Sequence, residues 1–443
     1  MPVPATPSQP PGADDIAAGG VVARTRRSAR RLSPSTEPLF RSAYALILST
    51  LATGVLGIAY WVLAARSYPP RALGEASAAI SAMLMLSSFA QLNLFYGLTR
   101  FIPRAGRRTG ALVGWAYVAS AAAALLLATG FVLLAPALAP GLAFLQKGWL
   151  AASAFVVAVA LWGVFALQDG VLTALRQASW VPVENAIFGV AKLGLLLAFA
   201  SVFVDGGIFA SWTIPVLLAI VPVNLLIFRR LIPRHLEAHG AGEGFRFREI
   251  SRFVAVDYVS ALLAQSYTGA LPLIIVALLG AEANASFYVA YAFVAALDLV
   301  SINMATPLIV EGAHAEVRLR EYTRRVLKRS TLLLVPAVAV FLLAAPHLSR
   351  LLGDGYADTP EVLRLLVLGS LPRMLSIVYM STKRVERRVH SVVAVQAATS
   401  VVILCLSFLL APSLGVQGVA LAWSCGHLAV AVCLLPWLLR TVR

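Results

Sequence analysis

LRLLVLGSLPRMLSIVYMST, residues 363–382, is an apolar run about one bilayer long that carries an arginine, Arg373, beside Pro372 near its middle. A helix across a bilayer needs about 20 apolar residues, and a charge near its centre costs from roughly 2.5 to more than 10 kcal/mol. Something must therefore compensate Arg373. On a 3.6-residue period it shares a face with Gly369, Ser370 and Ser376, a small and polar stripe, which turns it toward other helices rather than toward lipid. Pro372 removes a backbone donor and bends a helix, and such breaks are tolerated beside a cavity.

The rest of the chain repeats the apolar pattern. Of 443 residues, 60% are hydrophobic and 13% charged, and the mean hydropathy is +0.83, far from the soluble mixture of about half apolar and a quarter charged. Runs bounded by Pro, Gly and charges recur at 42–64, 74–98, 110–134, 149–169, 182–203, 207–228, 253–279, 285–309, 330–348, 362–381, 391–411 and 416–438. The fold class expected is an all-α polytopic membrane protein of about twelve transmembrane helices.

The formal charge of +16 is explained by position. Counted by loop, 29 of the 36 Lys and Arg lie on the side of the N-terminus and 5 on the opposite side, with Lys192 and Arg373 inside spans. Cytoplasmic loops carry the excess, so both termini are expected inside a cytoplasmic membrane. Runs such as RFIPRAGRR (100–108) and RLREYTRRVLKR (318–329) read as topology signals and contacts to anionic lipid, not as nucleic-acid contacts. The first 40 residues, rich in Pro, Ala, Ser and Arg, read as a disordered cytoplasmic tail and not as a cleaved signal, because the apolar run that follows is too long. Cys405, Cys425 and Cys433 lie unpaired in late apolar runs and read as packing residues; the six histidines are scattered. Neither a metal nor a cofactor is expected.

Two halves resemble each other at an offset of about 212 residues, as expected of many transporters. ALRQASWVPVEN (174–185) followed by GIFASW (207–212) in the first half parallels ERRVHSVVAVQA (386–397) followed by GVALAW (418–423) in the second. The parsing is a tail, 1–40; a six-helix lobe, 41–230; a cytoplasmic linker, 231–252; a second six-helix lobe, 253–439; and a cytoplasmic end, 440–443. An even number of spans per half gives a parallel repeat around a central cavity.

LSTLATGVLGIAYWVLAARSYPPRALGEASAA (48–79), FYGLTRFIPRAGRR (95–108) and LQDGVLTALRQASWVPVENA (167–186) carry a resemblance to the multidrug/oligosaccharidyl-lipid/polysaccharide exporter superfamily, specifically its bacterial polysaccharide (Wzx-like, O-antigen) flippase branch. It covers about Phe40 to Leu439. The resemblance implies two pseudo-symmetric lobes that open alternately to each side of the bacterial inner membrane. Their cargo would be an undecaprenyl-pyrophosphate-linked oligosaccharide bound for surface polysaccharide or lipopolysaccharide. Partners implied are that lipid-linked substrate, membrane lipids, and a polysaccharide polymerase and glycosyltransferases. Related multidrug extruders rely on buried carboxylates, often in the first span, whereas 42–64 has no Asp or Glu. Lipid II flippases carry two further C-terminal helices. A membrane-embedded polymerase or ligase would need a larger outer loop than 135–148 or 349–361.

Three mid-membrane charges stand out as cavity candidates: Lys192, Asp298 and Arg373. Two readings of Arg373 stay open: a guanidinium fork for the pyrophosphate, or a permanent pair with Asp298. Lys192 either lines the cavity or snorkels to the headgroups. Asp257, Gln265, Gln91 and Asn93 are sugar-contact candidates that would serve equally as interhelical hydrogen bonds.

Overall fold

The structure, a computed structural model, describes residues 54–146, 148–239, 247–312 and 319–442. The tail expected at 1–40 and the start of the first run lie outside the described residues. Among the described residues, ten helices are long and apolar enough to cross a membrane. One of them, Val389–Cys433, bends at Gly415, where φ is 60°, and makes two spans. The helix Gly54–Ser67 is the described part of the first run. The twelve expected runs are thereby accounted for.

In chain order the helices are α1 (Gly54–Ser67), α2 (Pro70–Ala90), α3 (Leu94–Ala105), α4 (Thr109–Leu138), α5 (Trp149–Ala174), α6 (Trp180–Phe199) and α7 (Gly207–Leu226). Then follow α8 (Ile232–His239), α9 (Phe247–Leu279), α10 (Ala281–Gly312), α11 (Leu319–Leu352), α12 (Thr359–Val385), α13 (Val389–Cys433) and α14 (Leu435–Val442). The repeat is physical. Starts at 70, 109, 149, 180 and 207 recur at 281, 319, 359, 389 and, past the bend, 416, an offset of about 210 residues throughout. Even the turns agree: Arg176 between α5 and α6 has φ 59°, and Arg387 between α12 and α13 has φ 56°. The Arg176 and Arg387 amides donate to Thr173 O and Arg384 O, and the next amides donate to Leu172 O and Lys383 O.

The halves meet where α2 packs on α9 and α10. A side chain at Gly74 would bring its Cβ to 1.7 Å from Ala281 O, so only glycine permits this approach. Beside it, Asn284 Nδ2 donates to Gly74 O at 2.8 Å and to Ser77 Oγ at 2.9 Å. At the same end Arg66 Nε donates to Leu351 O at 2.9 Å, and Gly355 lies against Pro70. These contacts join the halves at the end opposite the basic loops. Farther along, Gly269 meets Met85, and Tyr258 OH donates to Phe89 O at 2.7 Å.

Two expectations, the single second span and the packing of the cysteines, need correction. The second run does not form one helix over 74–98: α2 ends at Ala90, and Leu92 (φ 49°) and Asn93 (φ 58°) are left-handed, a conformation that a right-handed helix cannot absorb. The chain restarts as α3, whose buried Leu94, Leu98, Ile102 and Ala105 share one face, the pattern of a helix lying along a surface. The linker 231–252 is largely helical where described, because α7 runs through a π turn at Ile227–Leu231 into α8, and α9 starts at Phe247. Cys405 and Cys433 are exposed on the helix surface and Cys425 is half-buried, so packing in a core describes none of them fully.

Candidate functional site

Arg373, one residue after Pro372 in α12, is enclosed by four helices. Its Nε lies 2.8 Å from Asp298 Oδ1 of α10, with both side chains largely buried. Its Nη1 donates to Tyr267 OH of α9 at 2.8 Å and lies 3.2 Å from His427 Nε2 of α13. The guanidinium carbon stands 5.6 Å from the centre of the Trp423 ring, and that ring is 4.6 Å from His427. Gly369 makes this packing possible, since a Cβ there would meet Trp423 Cζ3 at 2.5 Å. Burying Arg373 is thus compensated in this conformation by a carboxylate, a phenol, an imidazole and an aromatic face. Ser370 and Ser376 are buried nearby on α12, as the small, polar stripe predicts.

Lys192 of α6 has a different environment. It is 8% exposed, so it does not snorkel. Its Nζ stands 4.2 Å from the Trp212 ring centre, 4.8 Å from Tyr60 and 5.2 Å from Phe188. Tyr60 is fixed by its hydroxyl, 2.7 Å from Ser211 Oγ and donating to Ile208 O at 3.1 Å. Among the described residues no carboxylate lies within ion-pair distance of Lys192.

Trp212 and Trp423 are counterparts in the repeat, at the ends of GIFASW and GVALAW. Each lobe therefore sets a buried cation against the equivalent tryptophan, but supplies it from non-equivalent helices, α6 in one lobe and α12 in the other. Aromatic groups span the distance between them. Trp61 of α1 is 4.6 Å from Tyr288 of α10, Tyr288 is 6.4 Å from Tyr291, and Tyr291 is within electrostatic reach of Arg373 and Asp298. Tyr288, Tyr291 and Asp298, at spacings of three and seven, form one face of α10.

The structure thus brings Arg373 and Asp298 together and sets Lys192 across the lobe boundary. Gln265 is half-buried on α9, two residues before Tyr267 and on a different side of the helix. Gln91 and Asn93 stand at the break after α2. Asp257 falls on α9, but its side chain lies outside the described residues. Sequence reading missed Tyr267, His427, Tyr60, Trp212 and Tyr288. It also missed two acids at the far end of the first lobe. Asp169 of α5 and Glu184 of α6 interact electrostatically with each other and with Tyr117 of α4. Both Glu184 oxygens, Asp169 Oδ1, Gln168 Oε1 and Asn224 Oδ1 are buried without a hydrogen-bond partner. A signal existed for some: His427 follows Trp423 by one helical turn.

The architecture is two-lobed with twelve spans, and the solved structures it matches share that fold. An inward-closed lipid II flippase MurJ matches with TM-score 0.71 and 12% identity, over 89% of this chain and 87% of that one. An inward-facing multidrug resistance MATE family transporter of the MOP superfamily matches with TM-score 0.64 and 14% identity, over 88% and 94%. A Vibrio cholerae MATE transporter, VcmN, matches with TM-score 0.63 and 16% identity, over 91% and 96%. No family model matches the sequence, and no curated protein matches it significantly. The shared property is the fold of a multi-pass membrane protein.

Proposed function

We propose that this protein is a flippase that moves a pyrophosphate-linked lipid oligosaccharide across a bacterial cytoplasmic membrane by alternating access, for cell-surface polysaccharide synthesis. The observation that carries this reading is the pair of buried cations, Lys192 and Arg373, one per lobe and each against an equivalent tryptophan. A pyrophosphate suits two cations that approach it from opposite lobes, and the tyrosines between them suit a sugar. In the empty state Asp298 balances Arg373; the arriving pyrophosphate takes that place. The contacts around Gly74, Asn284 and Arg66 lie opposite the basic loops, which supports reading this conformation as closed on the outer side. Deleting the gene tests the reading. Lipid-linked repeat units should accumulate in the inner leaflet, and export of single units instead would identify a polymerase.

A second reading, extrusion of a cationic solute, is favoured by one observation, the buried, unpartnered oxygens of Glu184 with Oδ1 of Asp169. Under it, Glu184→Gln would abolish drug resistance conferred by the protein while leaving polysaccharide untouched.

A further inference from the structure

Away from the lobe boundary, a pocket of about 650 Å³ opens where α11 begins and where α12 and α14 end. That volume lies within the range of small-ligand sites, about 300–1,000 Å³. Five cations line it, Arg320, Lys383, Arg387, Arg388 and Arg440, against one carboxylate, Glu386. Glu386 is already engaged: its Oε2 lies 2.7 Å from Lys383 Nζ and 3.7 Å from Arg388 Nε. Among the described residues, no carboxylate lies within ion-pair distance of Arg320, Arg387 or Arg440. Thr323, Thr382 and Thr441 add hydroxyls to the wall.

The repeat shows that this charge is not demanded by the fold. The turn between α5 and α6 has the same left-handed arginine and the same two amide bonds as the turn between α12 and α13. Yet residues 172–177 of the first turn read LTALRQ and the equivalent residues 383–388 of the second read KRVERR. One lobe closes the turn with a single cation; the other concentrates its charge at a pocket.

We propose that this pocket binds the phosphate headgroup of an anionic phospholipid of the adjoining leaflet. Depth argues for a lipid. Trp437 lines the pocket 4.9 Å from Tyr379, the aromatic pair expected at headgroup level, and on the same terminal helix Leu435 and Leu439 are exposed as a hydrocarbon-facing side. Arginine forks on several sides suit phosphate oxygens, and basic pockets between membrane helices take such headgroups. The site is separate from the Lys192 and Arg373 region and does not depend on what that region carries.

The test uses the full chain in nanodiscs of phosphatidylcholine with and without diphosphatidylglycerol. Retained lipid is counted by native mass spectrometry, and thermal stability is measured in parallel. The wild type should retain the anionic lipid and be stabilised by it. Arg387→Gln/Arg440→Gln should retain it at least about tenfold more weakly, since each basic residue near a membrane surface contributes about one kcal/mol toward anionic lipid. Arg104→Gln/Arg107→Gln, which removes two exposed charges from the same side of the first lobe, should behave as wild type. Equal loss in both double variants would show diffuse surface charge and overturn the proposal, as would full retention in the first. Displacement of the lipid by equimolar inorganic pyrophosphate would assign the pocket to a soluble phosphate and also overturn it. Should the double variant fold poorly, Arg440→Gln alone, near the chain end, should give about a fivefold loss by the same reasoning.

Discussion

Lys192 and Arg373 solve the same problem in opposite ways. Arg373 is buried with a carboxylate and hydrogen-bonding partners, so its charge is compensated before any ligand arrives. Lys192 is buried against three aromatic rings, with no carboxylate in reach among the described residues. Cation–π contacts contribute about 0.5–2 kcal/mol each, less than burying an ammonium costs. The first lobe thus holds an under-compensated cation and the second a compensated one. An anion that enters between them gains most from Lys192 and must displace Asp298 at Arg373.

That comparison breaks most readily through stability. Asp298→Ala should cost about 3–5 kcal/mol, because it leaves Arg373 buried without its counter-ion. A thermal melt of the full chain in detergent would show a large drop, and an unchanged melting temperature would mean that the pair is wet and weak. Gly369→Ala should come next, at about 1–3 kcal/mol, since its new methyl group meets the Trp423 ring. The melt should fall while Arg373 remains paired.

Lys192→Met should have a smaller effect and the opposite sign. Replacing an unpaired buried ammonium by an apolar chain of similar length should stabilise by about 1 kcal/mol, while Arg373→Met destabilises. Equal destabilisation by both would show that Lys192 has a partner and would remove the asymmetry. Smallest of all, Gly194→Ala on the same helix α6, where an added Cβ meets nothing within 4 Å, should stabilise by at most about 1 kcal/mol through helix propensity.

The sequence carried the spans because apolar length and loop charge are local sums. It carried the repeat because GIFASW and GVALAW sit at equivalent helix starts. The inward face of Arg373 was legible from Gly369, Ser370 and Ser376, since helical spacing alone places them together. Asp298 was legible as one of two possible partners, but Tyr267 and His427 were not: they come from two further helices, and only tertiary packing decides which polar residues meet Arg373. The break at Leu92–Asn93 was hidden for a different reason. Its flanks, SSFAQ and LFYGL, hold no proline or charge, so hydropathy runs on where the backbone turns. Asp169 and Glu184 were passed over because each lies near a span end, where a carboxylate ordinarily meets water; in the folded lobe Glu184 and Oδ1 of Asp169 are covered.

The central claim is that buried cations from both lobes hold an anionic cargo. Its most direct test is translocation per folded molecule in proteoliposomes, with an undecaprenyl-pyrophosphate-linked oligosaccharide as cargo and Lys192→Met, Arg373→Met and the exchange Arg373→Asp/Asp298→Arg as variants. The account predicts that Lys192→Met is at least as stable as wild type yet translocates at least about tenfold more slowly, that Arg373→Met is similarly slow per folded molecule, and that the exchange restores folding without restoring transport. Wild-type translocation by Lys192→Met, or by the exchanged pair, would contradict it.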